Sequence, residues 1–417
     1  MKVFEEIRAE CRRILSDRID YTRDLSDEEV LDLIDEAVLR AGRQYYLTLE
    51  QKNRLKRELF ASIRRLDVLE EFLSDNSVTE IMVNGPDCIF VEREGRLIRQ
   101  DVRFESKEKL SDVIQQIVAR VNRVANEGSP IVDARLAGGA RVNVVMPPVA
   151  LNGPILTIRR FPDRPMDVED FYRLGSVTRE AMEFLQTLVY ARFNIFISGG
   201  TGSGKTTFLN VLSNFIPKEE RLITIEDNAE LQIGNIPNLV RLETRNANVE
   251  GCTPVGIRDL IKTALRMRPD RIIVGEVRSE EAIDLLMAMN TGHDGSLSTG
   301  HANSARDMLV RLETMVLMGM EMPLDAIRRQ IASAVDIIVH LGRLRDHSRK
   351  VLEIMEVTGY VDGEIVLSPL YTFVEDGNDE KGKVQGKLIC QNPLLHQEKL
   401  KNAGVEAKWE EKERKLS

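Results

Sequence analysis

Residues 194–207 read NIFISGGTGSGKTT. A short apolar run, Ile195 to Ser198, enters a glycine-rich loop. A helical stripe of Phe208, Leu209, Val211, Leu212 and Phe215 leaves it. The loop matches G-x-x-x-x-G-K-[ST] in full, at Gly199, Gly204, Lys205 and Thr206. Strand, loop and helix in that order belong to a parallel sheet covered by helices, so one segment already sets the fold class as α/β. The chemistry is equally constrained. Glycines let backbone N–H groups curl around a phosphate without a clashing Cβ, and a helix N-terminus attracts anions. A lysine at this position reaches the β- and γ-phosphates, and the next hydroxyl holds Mg²⁺. The expected ligand is therefore ATP with Mg²⁺. It is bound by Gly199, Gly200, Thr201, Gly202, Ser203, Gly204, Lys205, Thr206 and Thr207, with Thr206 on the metal.

Hydrolysis needs more than a cradle: a carboxylate to polarise water, and groups that sense the γ-phosphate. Three further segments supply candidates. LITIEDNAEL brings Glu226 to the end of an apolar run, with Asp227 and Glu230 just after it. RPDRIIVGEVR ends a second apolar run in Gly275-Glu276, with glycine where aspartate is commoner. Carboxylates at strand C-termini face the ligand crevice of an α/β sheet. Glu276 is the candidate to orient and deprotonate the attacking water. NTGHDGSLSTGHANS holds His293 and His301 in what reads as a glycine-rich turn, and His301 is placed to contact the γ-phosphate. A zinc pair is the rival reading of the two histidines, but no third or fourth ligand is nearby. Arg241, Arg245, Arg258, Arg266, Arg268 and Arg278 crowd the same region. In oligomeric ATPases a neighbour's arginine commonly stabilises transition-state charge.

With 417 residues the chain exceeds one ordinary core. Residues 1–70 read as a helical region: Val30, Leu31, Ile34, Ala37 and Val38 recur at helical spacing, and Leu55, Leu59, Ile63 and Leu66 form a second stripe. Residues 71–160 read as a small α/β domain, opening on a hairpin that turns at Asn84-Gly85-Pro86 and containing a helix from Lys107 to Asn122. The proline-bearing stretch 161–166 is the linker. Residues 167–375 form the ATPase domain, with strands expected at Ile195–Ser198, Leu222–Ile225 and Ile272–Val274. Residues 376–417 read as a charged tail ending in a solvated helix or disorder.

Net charge is −9, which argues against a protein that lives on nucleic acid. Cys11, Cys88, Cys252 and Cys390 stand far apart with no CxxC pair, as in a reducing compartment. The first residues, MKVFEEIRAECRR, are charged throughout and make no secretory signal, and no apolar run reaches roughly 18 residues. The expectation is a cytoplasmic protein.

Taken together, the four boxes (Gly199–Thr206, Glu226–Glu230, Ile272–Glu276 and His293–His301) resemble the secretion-ATPase superfamily that drives type II and type IV secretion and type IV pilus machines. SVTEIMVNGPDCIFVEREGRL, PIVDARLAGGARVNVVMPPVALNGPILTIRRF and PLYTFVEDGNDEKGKVQGKL are similar to the CpaF/Tad branch, which assembles Flp-type pili. The resemblance implies a RecA-like P-loop ATPase domain preceded by a smaller α/β domain and an N-terminal helical segment. It implies a homo-hexamer in the cytoplasm, peripheral to the inner membrane through a platform-protein partner. Nucleotide would lie between the two domains, with Arg159 or Arg160 helping to clamp it. Glu276 would activate water, Glu226 and Glu230 would position water and metal, and His301 would sense the γ-phosphate. Two departures stand out. Ala137-Gly138-Gly139-Ala140 lacks the polar residue usual in that loop, and the cysteine-rich zinc element of type II secretion ATPases is absent. Conjugative type IV secretion is the alternative within the superfamily. A nucleic-acid-dependent RecA-like motor, or a nucleotide switch without turnover, are the alternatives outside it.

Overall fold

The computed structural model describes residues 2–405 except 17, 19–25, 44, 94, 122, 137, 161–163, 246–252 and 381. The chain forms two compact units that divide at Asp163 and Arg164.

In the first unit, α1 (Lys2–Ser16), α2 (Asp27–Ala41) and α3 (Leu49–Arg64) bury Ile7, Cys11, Ile34, Val38, Leu55 and Leu59 among themselves. Ser26 with Glu29, and Thr48 with Gln51, close capping boxes that fix where α2 and α3 begin. Then follow α4 (Leu69–Ser74), β1 (Val78–Asn84), β2 (Ile89–Arg93), β3 (Arg96–Gln100), α5 (Lys107–Ala119), β4 (Ile131–Arg135), β5 (Arg141–Val145) and β6 (Ile155–Arg159). The strands form an antiparallel sheet in the order β3-β2-β1-β6-β5-β4. Alternation does the sorting: Ile81, Val83, Val142, Val144, Leu156 and Ile158 share a core with Leu110, Val113, Ile114 and Ile117 of α5.

The second unit contains α6 (Val168–Arg173), α7 (Arg179–Tyr190), β7 (Ile195–Gly199), α8 (Lys205–Ser213), β8 (Leu222–Glu226), β9 (Leu239–Glu243), α9 (Ile257–Ala264), β10 (Arg271–Val274), α10 (Glu281–Asn290) and β11 (Leu297–His301). It continues with α11 (Ala305–Gly319), α12 (Leu324–Ala334), β12 (Ile337–Arg343), β13 (Arg349–Val361), β14 (Glu364–Asn378), β15 (Val384–Cys390) and α13 (Glu398–Asn402). Its sheet runs β15-β14-β13-β12-β7-β11-β10-β8-β9. From β12 to β9 neighbours are parallel, and β13 to β15 extend the sheet antiparallel. Ile195 and Ile197 face α7 and α8, while Phe196 faces the opposite core built by α9 to α12. The fold is α/β with helices on both faces of the parallel strands, as the P-loop context requires.

The sheet is larger than the three expected strands. β11 escapes an apolar scan because Ser298, Thr299 and Gly300 follow its single leucine. It is nonetheless buried, because Ser298 Oγ donates to the Val274 carbonyl at 2.9 Å and Thr299 Oγ1 to that of Gly275 at 2.8 Å. The region read as a glycine-rich turn is therefore a central strand. The charged tail expected at 376–417 also needs correction as far as residue 405. β14 runs on to Asn378, β15 pairs with it, and Leu388, Leu394 and Leu400 join the core. Residues 406–417 lie outside the described residues, as do 161–163 of the expected linker, Asn122 of the expected helix, and Cys252. Among the described residues, no helix is long and apolar enough to cross a membrane.

Candidate active site

β7 delivers the chain to the C-terminal edge of the parallel sheet, where the loop 199–204 opens. Gly199 is forced by space: a Cβ there would stand 2.4 Å from the Leu341 carbonyl oxygen and 2.6 Å from Ser203 Oγ. Gly202 and Gly204 take φ of +70° and +94°, where side chains rarely go. α8 then starts at Lys205 with Gly204 as its cap residue, so no side chain blocks its first amides. Thr206 and Thr207 sit half-buried in that first turn. Glycines at positive φ, Gly202 among them exposed, and an uncapped helix start fit a phosphate group.

Lys205 is buried, and its Nζ donates to the Gly200 carbonyl at 2.9 Å. The same Nζ lies 3.3 Å from Nδ1 of His301, the last residue of β11. On the other side of the ring, His301 Nε2 lies 2.8 Å from Glu276 Oε1. Glu276 Oε2 accepts from Arg278 Nη2 at 2.6 Å, and Arg278 Nη1 lies 3.7 Å from Asp227 Oδ2. A file of charged and titratable groups thus crosses the strand ends from the P-loop to β8. Burial, then the charges of Lys205, Arg278 and Arg311, push the His301 pKa below 6.5 against the pull of Glu276. Its imidazole is neutral at neutral pH. Arg278 is pushed up by its hydrogen bond to Glu276.

Glu226 is almost fully buried at the end of β8, with Oε2 accepting from the amides of Glu230 at 2.7 Å and Leu231 at 2.9 Å. Burial raises its pKa, opposed by those two bonds and by Arg241. Its Oε1 is a buried acceptor without a hydrogen-bond partner, while the buried Oε1 of Glu276 has only His301 Nε2 beside it. Such atoms fit a site built to receive water or a metal-bound ligand. Gly275 explains the missing aspartate: a Cβ there would stand 3.0 Å from Glu226 Cγ, so the Glu226 side chain fills the space that a larger residue would need.

A family model described as type II/IV secretion system protein matches residues 64–413. The chain belongs to that family. A putative conjugal transfer protein of Mycobacterium tuberculosis is 36% identical over 71% of this chain and 88% of its own length. The type IV secretion system protein VirB11 of Brucella suis is 34% identical over 66% of this chain and 84% of its own. Among solved structures, the pilus retraction motor PilT with bound ADP has a TM-score of 0.52 at 19% identity, covering 84% of this chain and 88% of that one. At that identity the likeness concerns the fold alone, and it agrees with the RecA-like α/β architecture.

One candidate of this secretion-family chain's second unit, His293, does not lie at the P-loop. His293 precedes β11, at the strand end remote from His301, and its Nδ1 lies 3.3 Å from the Ala288 carbonyl oxygen. Arg159 and Arg160 belong to the first unit. Arg159 is exposed at the end of β6. The guanidinium of Arg160 is committed to its own unit. It donates to the Asp75 and Val78 carbonyls, the latter at 3.3 Å, and to Asn76 Oδ1 at 3.1 Å. Two residues at the P-loop carry no sequence signal. Buried His340 of β12 shares a 2.8 Å hydrogen bond through Nδ1 with Ser198 Oγ under the loop. Arg349 of β13 donates from Nε to the Gly202 carbonyl at 2.9 Å. Neither lies in a recognisable motif, and only the pairing of β7, β12 and β13 brings them there.

Proposed function

We propose that this member of the type II/IV secretion system family is a motor ATPase that hydrolyses ATP to ADP and phosphate. The observation that carries the reading is the file Lys205–His301–Glu276 at the mouth of the P-loop. Loop amides and Lys205 bind the β- and γ-phosphates. Thr206 is the hydroxyl that would hold Mg²⁺, and the ion would supply neutralisation of phosphate charge there. Glu276 takes the proton of the attacking water, Glu226 and Glu230 order the water and metal side of the site, and His301 reads the γ-phosphate through its neutral ring. Arg278 orients the Glu276 carboxylate by their 2.6 Å bond.

In the cell, the reading is a homo-hexamer on the cytoplasmic face of the inner membrane, held there by a platform protein, that drives Flp (Tad-type) pilus assembly or protein export. The stretches at 77–97, 130–161 and 369–388 support the Tad branch. Conjugative type IV secretion is the second reading, favoured by the conjugal-transfer relative. The test is ATP turnover of the purified chain beside Lys205→Ala, with particle mass by light scattering with and without Mg·ATP. Turnover that vanishes in the variant, from a particle near six subunits, supports the motor. Turnover that survives in Lys205→Ala sinks the site assignment, and a monomer under every condition sinks the ring.

A further inference from the structure

The sheet order gives the P-loop two flanks. On one stands β11 with His301, and beyond it β10 leads to Glu276. On the other stands β12, in parallel register with Ser198 opposite His340 and Gly199 opposite Leu341. β12 turns through residues 344–348 into β13, and the first residue of β13 is Arg349. Its Nε donates to the Gly202 carbonyl oxygen at 2.9 Å across 147 residues of sequence. Its Cδ lies 3.6 Å from the place where a Cβ on Gly204 would stand. The side chain therefore runs along the outside of the loop from Gly202 to Gly204.

That contact fixes more than one carbonyl. In a trans peptide the C=O of one residue and the N–H of the next point in opposite directions. With the Gly202 oxygen turned out toward Arg349, the Ser203 N–H is turned inward. There its partner is the Gly200 carbonyl at a long 3.4 Å, the same oxygen that receives Lys205 Nζ. Gly202, at φ +70° with nothing within 4 Å of its Cβ position, has few steric reasons to keep this orientation. A charge-assisted bond from outside supplies one.

The mount behind Arg349 is rigid. Arg345, in the β12–β13 turn, donates to Glu375 at 2.8 Å and to Asn378 at 2.6 Å, both on β14. Asp346 accepts from Ser348 N at 3.0 Å and, through its other oxygen, from Val384 N of β15 at 2.9 Å. Burial opposes its ionised form, yet these hydrogen bonds hold its carboxyl at about 2, so the brace persists across the working pH range. The antiparallel extension thereby fixes the hairpin that carries Arg349.

We infer that Arg349 is a positioning residue of the phosphate-binding loop: by holding the Gly202 carbonyl outward, it presents the Ser203 amide to the phosphates of a bound nucleotide. The inference rests on the nucleotide reading given above. It calls for full-length wild type, Lys205→Ala, Arg349→Met and Arg349→Lys. Methionine keeps the aliphatic stem beside Gly204 and removes the donor; lysine restores a charged donor. Binding of fluorescent ATP and ADP, KM and kcat, and the unfolding midpoint without nucleotide are measured on each. Arg349→Met is expected to weaken both nucleotides by about tenfold and to raise KM more than it lowers kcat, with the midpoint unmoved. Arg349→Lys is expected to recover most of that loss. Wild-type affinity in Arg349→Met overturns the inference, as does a loss in that variant that lysine leaves unrepaired. A wild type that binds neither nucleotide overturns the nucleotide reading itself, and the inference with it.

Discussion

Nε2 of His301 stands 2.8 Å from Oε1 of Glu276, while the opposite ring nitrogen stands 3.3 Å from Lys205 Nζ. The histidine ends β11, the strand between the P-loop strand and the strand that leads to Glu276. One ring therefore connects the proposed phosphate-binding lysine with the proposed general base. Replacing Glu276 with glutamine keeps the shape and the contact distances and removes the base. Glu276→Gln is expected to bind ATP as the wild type does and to lose about 10²- to 10⁴-fold in turnover. Binding by a fluorescent analogue and steady-state phosphate release are the two measurements. Near-normal release would sink the assignment of the base.

Acid should act through the same ring. Burial and the neighbouring Lys205 hold His301 below its ordinary 6.5, so it works as a neutral imidazole. Protonating it sets a second cation beside Lys205. Turnover is expected to fall only once the pH drops well below the ordinary 6.5, and His301→Asn should lack that acid limb. Stability carries the matching sign. A histidine whose folded pKa is depressed binds its proton first in the unfolded chain, so its contribution is present above 6.5 and is lost as pH falls through the depressed value. His340, lowered chiefly by burial, acts in the same direction. A midpoint gap between wild type and His301→Asn that stays constant from about pH 7 to 5.5 would contradict the His301 assignment.

Gly275 is set by its neighbour. A methyl group there meets Glu226 Cγ at 3.0 Å, and Glu226 is pinned by two backbone amides. Gly275→Ala should displace that carboxylate and lower turnover by about tenfold, while costing about 1–3 kcal/mol of stability through overpacking. Gly275→Ala paired with Glu226→Ala tests the cause, because the smaller side chain removes the clash. Stability restored in the pair supports it; equal losses in single and double variants refute it.

How much of this was legible depends on where the signal lies. The P-loop could be read because glycine, lysine and threonine are each demanded locally by one loop. Glu226 and Glu276 could be nominated from strand ends and His301 from a glycine-rich segment, but the His301–Glu276 contact could not be read, since it depends on the order β7-β11-β10. β11 could not be read as a strand because its burial is satisfied by hydroxyl-to-carbonyl bonds rather than by apolar side chains. Arg349 and His340 could not be found at all, since they reach the loop only through strand pairing. For Arg160, the sequence offered a clamp role by resemblance but no sign of its local bonds, which run to the Asp75 and Val78 carbonyls at the α4–β1 turn.

The C-terminal segment misled for a related reason: its charges mask regularly placed leucines. Leu388, Leu394 and Leu400 are spaced along β15 and its sequel and are buried in the core beside α7 and α8. The backbone between them is strapped down by buried Glu356, which accepts from the amides of Leu395 at 2.9 Å and His396 at 2.8 Å. Lys399 of α13 adds bonds to Asp336 at 2.6 Å and Asp294 at 2.7 Å. Leu400 has no exposed surface, so Leu400→Ala should cost about 2–5 kcal/mol. In a unit of this size that lowers the unfolding midpoint by roughly 4 °C or more. Lys401→Ala, on the same helix but exposed, is the control and should leave the midpoint within about 1 °C. A midpoint equally unmoved in Leu400→Ala would mean that α13 is a solvated tail after all, and that β15 alone completes the sheet.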